Sequence, residues 1–596
     1  MTGRGEGRGY DAVRDALRER GYLETPLERL FLGTGRAPWQ RIVLSALLAG
    51  LIAGPLLAAI LAAVVVAGSR GLVPAWPDGV LYGVLFAPVL GLVVALGEAL
   101  AALLVRLAGR LRPDLSPRRA SLAAGLGAAG VLAAWLGTWW ALRASDVTPG
   151  DLAGLLALVL GAGITGRIVA AATLPEAIAA AGRGPRRRSR AFLPSLGLAL
   201  VLAVTAALVA TLAPVRRGGA RIVPAADAPD RVVLLGWDGM GLPEMRGLLD
   251  RDFPGAADLL GGGVVLPVDA AGETDPVALW TSLATGCSPA THGVLGAGMR
   301  GLQGAHAPLV RRGLAAGPLE VLSRLWPTVE RPVRAGVRRV PALWEYTADA
   351  VKTGVVGWWG TWPSVSPGPA GGYVVSDGAF VAAVRGKGLA EANWPASFGR
   401  GRAPGWLREA TRAAREVFPG ADPGPARDAL RVDLFHLAAA RDILRDPEVR
   451  ALFVYLPGAD LVRDGCRRAG RDPWSTLERL EALARAELPR LEELRTPGTL
   501  LVVVGMPGRA GCGERGFLVL PPGPGAVPRE ILRPEDVAPT VLALSGYPVD
   551  TRIEGRSALP GVRRVRTRVE PARAPAASPE LEADVLERLR SLGYVR

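Results

Sequence analysis

The stretch VVLLGWDGMG, residues 232–241, decides how the rest of the chain is read. Its almost unbroken apolar run predicts a strand buried on both faces, and the Asp-Gly turn after it stands where α/β proteins place their chemistry. Similar runs recur downstream: VVLPV (264–268), TGVVGWW (353–359), ALFVYL (451–456), TLLVVVG (499–505) and GFLVL (516–520). Each is followed by glycine or proline and then by helical periodicity. The alternation predicts an α/β domain over residues 222–560, a mostly parallel sheet between helices. A Trp- and Gly-rich middle, 357–420, reads as an insertion.

Upstream of residue 222 the composition changes. The chain has 596 residues, 49% of them hydrophobic and 21% charged, with a mean hydropathy of +0.26, so it is expected to be part membrane and part globular. Residues 42–67, IVLSALLAGLIAGPLLAAILAAVVVA, are free of charge and exceed the roughly 20 residues a helix needs to cross hydrocarbon. Further apolar runs near 80–105, 120–142, 152–174 and 191–213 make five expected spans, an all-α transmembrane domain over residues 42–214. The first run is too long for a signal-peptide core.

Arginines alternate along these runs. Arg14, Arg18, Arg20, Arg29, Arg36 and Arg41 precede the first, Arg106, Arg110, Arg112, Arg118 and Arg119 separate the second and third, and Arg183, Arg186, Arg187, Arg188 and Arg190 separate the fourth and fifth. By the positive-inside rule, residues 1–41 are a cytoplasmic segment and the α/β domain is extracytoplasmic, in a multi-pass protein of the cell membrane. The excess of 70 Lys+Arg over 55 Asp+Glu is thus a topology signal; the expected partner is a lipid bilayer, and no nucleic acid. Two ionisable residues fall inside spans, Glu98 and Arg167. Both read as reaching the interface from near helix ends, between helices whose Gly and Ala suit close packing. A transport or lipid-handling role for the spans is the minor alternative.

Residues 10–33 read as a short amphipathic helix with Val13 and Leu17 on one face, stopped by Gly21. Residues 561–596 read as a linker, VRRVRTRVEPARAPAASPE, and a C-terminal helix. Three scattered cysteines make no disulfide framework.

The residues just after the strands carry the candidate site. Asp238 follows the first; Pro457-Gly458-Ala459-Asp460 and then Asp464 follow ALFVYL. Acids at neighbouring strand ends suit a divalent cation, or equally cap turns and helix starts. In GETDPVALWTSLATGCSPATHG, 272–293, Asp275 and Pro276 read as N-cap and first helical position of a helix ending near Gly286. Thr274 beside that helix start is a candidate nucleophile, or simply part of the cap.

VVLLGWDGMG, LWTSLATGCSPATHGV, FVYLPGAD, EDVAPTVLALSGYPVDTRIEGR and the LGYV tail together resemble the alkaline phosphatase superfamily, in its type I phosphodiesterase/nucleotide pyrophosphatase branch. LWEYTADAVKTGVVGWWGTWPS fits as well. The resemblance covers about residues 230–596 and implies two metal ions that position a phospho- or sulfoester for a Ser/Thr nucleophile. Carried over motif by motif, it places metal carboxylates at Asp238 and Asp460. Where the family has a histidine this chain has Asp464, and where it has Ser-Asp-His-Gly this chain has Gly505-Met506-Pro507-Gly508. The last metal histidine falls near Cys512, and the nucleophile falls on Pro276. Only His292, His306 and His436 exist in the chain, and none occupies a ligand position.

Methionine and proline cannot replace a carboxylate and an imidazole around a dication, so two-metal hydrolysis is not expected. The first reading is therefore a pseudoenzyme that acts by binding or scaffolding and holds no metal. Its partner would be an anionic ligand, glycan, lipid head group or protein, with Arg463, Arg467, Arg468 and Arg509 around the eroded site. The rival is a hydrolase or transferase with a rebuilt site, in which Asp238, Asp460, Asp464 and Cys512 hold one zinc or manganese ion and Thr274 attacks.

Overall fold

The computed structural model describes residues 37–68, 75–111, 116–141, 149–181, 219–257, 263–270, 275–305, 316–420, 425–509, 514–521, 531–573, 577–592, 594 and 595, with a few isolated others. The N-terminal amphipathic helix, the span at 191–213, Thr274, His306 and Cys512 lie outside the described residues. The chain divides into two compact units: Met1–Arg70, Pro74–Val215 and Gly301–Val329 form one, and Gly71–Val73, Arg216–Arg300 and Glu330–Arg596 the other.

The first unit contains helices α1 (Pro38–Gly68), α2 (Ala75–Leu111), α3 (Pro117–Ala141) and α4 (Pro149–Ala181). Three stretches are long and apolar enough to cross a membrane, Pro38–Val66, Pro77–Leu111 and Gly154–Ala180. The expected five spans are thus reduced to three among the described residues. The span expected at 120–142 is helix α3, built largely of Ala and Gly, and is not one of the three.

Apolar side chains gain little by leaving lipid for one another, so such helices associate through close backbone approach. Glycines supply it. A Cβ on Gly50 would overlap the Gly91 carbonyl oxygen, one on Gly54 would lie 2.7 Å from Gly91 Cα, and one on Gly166 would lie 2.5 Å from the Gly125 oxygen. The expectation for Glu98 is corrected: its side chain does not reach an interface but is wholly buried.

The second unit is built on one eight-stranded sheet. Its strands are β1 (Arg231–Asp238), β2 (Val264–Val268), β3 (Lys352–Val356), β4 (Gly372–Val375), β5 (Asn393–Trp394), β6 (Val449–Leu456), β7 (Thr499–Met506) and β8 (Gly516–Leu520). Their order is β2-β8-β7-β1-β6-β3-β4-β5. The five central strands, β7 to β4, run parallel, while β8 and β5 pair antiparallel to their neighbours. All six strands expected from apolar runs are present. The Trp/Gly-rich middle is no insertion, since it contributes β4 and β5 to the sheet itself.

Helices α5 (Leu242–Asp250), α6 (Pro276–Thr285), α7 (Ala396–Val417), α8 (Pro425–Leu444), α9 (Gly458–Arg468), α10 (Pro473–Glu492), α11 (Pro534–Leu544) and α12 (Pro579–Ser591) accompany the sheet. Strands buried on both faces explain why Val233, Leu234, Leu235, Phe453, Val454, Val502, Val503 and Val504 are all apolar and inaccessible. The stretch expected as a flexible linker is built in at least to residue 573. Arg564–Val565 pairs with Val549–Asp550, and Arg552 bridges Asp550 at 2.9 Å while donating to the Val569 carbonyl. Helix α12 buries Leu581, Val585, Leu586 and Leu589 in the same core.

Candidate strand-end site

Because β7, β1 and β6 are parallel neighbours, their carboxyl ends lie side by side. Trp237 stands opposite Leu456 on one flank and Gly505 on the other, and Asp238 stands opposite Met506. The three turns that follow therefore deliver Asp238, Asp460 with Asp464, and Arg509 to one place.

Two glycines permit the approach. Gly239 has φ +85°, and a Cβ there would overlap the Asp460 backbone nitrogen; Gly508 has φ +69°, and its Cβ would lie 2.5 Å from Asp460 Oδ1. A side chain at either position meets both a left-handed backbone and a filled space.

Asp460 is fully buried at the start of α9. Its Oδ1 accepts from the Arg509 backbone N–H at 2.7 Å; its Oδ2 accepts from Arg509 Nε at 2.9 Å and from the Tyr594 hydroxyl at 3.0 Å. Arg509 Nη2 lies 2.7 Å from the same Oδ2, and Nη1 lies 3.3 Å from Asp464 Oδ2. A carboxylate offers about four lone-pair sites, and three hydrogen bonds converge on this one, with Nη2 adding an ion-pair contact. Arg509 also lies 3.8 Å over the Tyr594 ring and donates from Nη1 to the Leu592 carbonyl oxygen at 3.0 Å. The Tyr594 ring in turn meets Trp359 edge-on, centroids 5.0 Å apart.

Asp238, also fully buried, is held differently. Its Oδ2 accepts from the Tyr455 hydroxyl at 2.7 Å and its Oδ1 from Gly239 N–H at 3.1 Å. Burial, reinforced by the like charge of Asp460, pushes its pKa up to about 8, against the opposing pull of the Tyr455 hydroxyl and Arg509.

The structure thus brings Asp238, Asp460 and Asp464 together. Thr274 and Cys512 lie outside the described residues. Asp275 caps α6, accepting from Val277 N at 2.9 Å and Ala278 N at 3.3 Å, with Pro276 as its first residue and Gly286 (φ +68°) as its left-handed end. Met506 is fully buried at the end of β7. Of the histidines, His292 accepts from Val294 N–H at Nδ1 and bonds the Ser282 hydroxyl through Nε2. His436 donates from Nδ1 to the Tyr455 carbonyl oxygen at 2.8 Å. Burial pushes both pKa values down, to about 3 and about 4, so both are packed neutral rings.

The arginines around the site are engaged with acids. Arg463 pairs with Glu244 at 2.9 Å and Glu514 at 3.1 Å, and Arg467 and Arg468 both pair with Asp464. Among the described residues no three His, Cys, Asp or Glu side chains group as a metal site. The donors present among the described residues do not fit the two dications that the sequence resemblance implies. Asp460 is held by Arg509 and Tyr594, Asp464 already faces three guanidinium groups, β7 ends in Met506 with Pro507 after it, and Glu514 beyond them is paired with Arg463.

Sequence reasoning gave no role to Tyr455, Tyr594 or Trp359. Tyr455 was legible as the one polar tip in ALFVYL, since a buried tyrosine seeks a hydrogen-bond partner. Tyr594 lies some 130 residues from Asp460, and no local signal joins them.

No family model matches the chain, and no curated protein matches it. Among solved structures it is similar to phosphonoacetate hydrolase from Sinorhizobium meliloti 1021, determined in complex with phosphonoformate. That similarity has a TM-score of 0.28 and 14% identity over 48% of this chain, and it spans 59% of that protein's length.

Proposed function

We propose that this protein is a membrane-anchored binding or scaffolding protein, whose α/β unit keeps the sheet of a hydrolase superfamily without its two-metal chemistry. The observation that carries the reading is Arg509: its guanidinium lies against Asp460 at 2.7 Å and Asp464 at 3.3 Å, at the strand ends where the superfamily places cations. A fixed guanidinium neutralises buried carboxylates but supplies neither a Lewis acid nor an activated water. The arginine pattern of the apolar segments supports an extracytoplasmic placement for this unit.

The test is metal content. The purified full chain is equilibrated with zinc and manganese at neutral pH, freed of loose ions and measured beside Asp238→Ala and Asp460→Ala. Well under one ion per chain is expected in all three. A tightly held ion in the parent chain that both substitutions remove would overturn the reading, and would favour the rebuilt one-ion hydrolase with Thr274 as nucleophile.

A further inference from the structure

The helical unit carries a second cluster of buried ionisable groups. On α1, Arg41 donates from Nε to Glu176 Oε1 of α4 at 2.9 Å, and Arg106 of α2 reaches Glu176 Oε2 at 3.4 Å. Glu98, wholly buried on α2, is not served in this way: among the described residues no arginine or lysine lies within ion-pair distance of it. Its Oε1 lies 3.2 Å from Ser45 Oγ, and its Oε2 is buried with no hydrogen-bond partner. The charged residues on the helices of this unit are Arg41 on α1, Asp78, Arg106 and Arg110 on α2 itself, Asp151, Arg167 and Glu176 on α4, and Arg118 and Arg119 in the first turn of α3.

Hydrogen counting assigns the proton. The Ser45 hydroxyl owns one hydrogen and has three acceptors in reach: Arg41 O at 2.6 Å, Ile42 O at 3.2 Å and Glu98 Oε1 at 3.2 Å. The backbone bond at 2.6 Å is the shortest and takes that hydrogen. The remaining contact between Ser45 and Glu98 is then attractive only if the hydrogen comes from the carboxyl group. An ionised carboxylate here would face an oxygen lone pair on one side and, among the described residues, no donor on the other, in the interior of a bundle of apolar helices.

We propose that Glu98 is a proton-binding site in the interior of the helical unit, a neutral carboxylic acid at pH 7 that bonds to Ser45 and leaves one oxygen open. Glu176, by contrast, lies between two guanidinium groups. The cluster therefore holds one exchangeable proton at a defined residue, which neither the strand-end site nor simple helix packing requires.

The test uses dicyclohexylcarbodiimide, an apolar reagent that reacts with protonated carboxyl groups. The carboxyl oxygen bonds to its central carbon, the acid's hydrogen moves to a carbodiimide nitrogen, and nothing leaves. The full chain in lipid vesicles is treated between pH 6 and pH 9, digested and read by mass spectrometry. The expected result is an adduct on Glu98 and none on Glu176, with labelling that falls toward pH 9; Glu98→Gln abolishes it. An independent reading is the carboxylic-acid carbonyl band in the infrared at pH 7, which Glu98→Gln should remove. An unlabelled Glu98, equal labelling of both residues, or an infrared band unchanged by the substitution would each overturn the proposal.

Discussion

The two units solve the same problem in parallel ways. Each buries one acid against arginine, Asp460 with Arg509 in the α/β unit and Glu176 with Arg41 and Arg106 in the helical unit. Each buries a second acid beside a hydroxyl, Asp238 at Tyr455 and Glu98 at Ser45. The difference lies in completion. Asp238 has partners on both oxygens, whereas Glu98 has one oxygen with none among the described residues. A saturated cluster is a structural lock; one with an open acceptor retains a place for a proton to enter and leave.

The largest expected effect comes from breaking the lock. Arg509→Ala leaves Asp460 buried without its cation and should cost about 3–5 kcal/mol, measured by denaturant unfolding. Adding Asp460→Asn should recover a large part of that loss. If Arg509→Ala costs under about 1 kcal/mol, the two clusters are not alike, and Arg509 is an incidental neighbour on the scale of a surface pair.

Tyr594→Phe removes only the hydroxyl that bonds Asp460 and should cost about 1.5–3 kcal/mol, the range for a hydrogen bond to a charged group. A neutral outcome would mean that the C-terminal tail is not part of the lock. On the helical side, Gly166→Ala puts a Cβ 2.5 Å from the Gly125 carbonyl oxygen and should destabilise the helix contact by about 1–3 kcal/mol, read from resistance to detergent unfolding. An unchanged midpoint would show that glycine contact is not what holds α3 to α4.

The smallest effect is a slope. The folded-state pKa of Asp238 is raised to about 8 from 3.8, so the folded chain keeps a proton that the unfolded chain has lost, and stability falls as pH rises across that window. The buried histidines, depressed from 6.5 to about 3 and about 4, add an opposing rise that ends once the unfolded chain's imidazoles are neutral too, so the Asp238 slope is read between about pH 7.5 and 8.5. Asp238→Asn keeps an acceptor for Tyr455 but removes the titration. It should flatten the fall by at most about 1.4 kcal/mol per pH unit, measured by unfolding at several pH values. An unchanged slope would mean that Asp238 stays ionised in the folded protein.

Much of the α/β frame was legible because burial on both faces leaves an unbroken apolar run, as in ALFVYL and TLLVVVG. The outer strands were not. Gly372–Val375 has four residues and Asn393–Trp394 two, too short for any periodicity to register. At the site, Asp238 and Asp460 were found because one closes a strand and the other stands in the first turn of the helix that follows a strand, and Asp464 because it lies one helical turn after Asp460. Arg509 was noticed as a neighbour, but its role as their counter-cation depended on a backbone turn at Gly508. In the helical unit, hydropathy finds apolar length but not side-chain direction, so it located Glu98 without revealing its burial.

What the sequence by itself determined is the division into apolar helices and an α/β unit, the strands buried on both faces, the N-cap of α6 and the apolar Met506-Pro507 at the end of β7. Those features are local, each written in a periodicity, a cap or a residue identity. Only the tertiary structure decided that Tyr594, Arg509 and Asp460 meet, that residues 562–573 join the unit, and that Glu98 lies beside Ser45 with no ion-pair partner among the described residues. These depend on which distant segments share one interior, where a polar group must find a partner or give up its charge, and pairings of that kind leave no mark in a local stretch of chain.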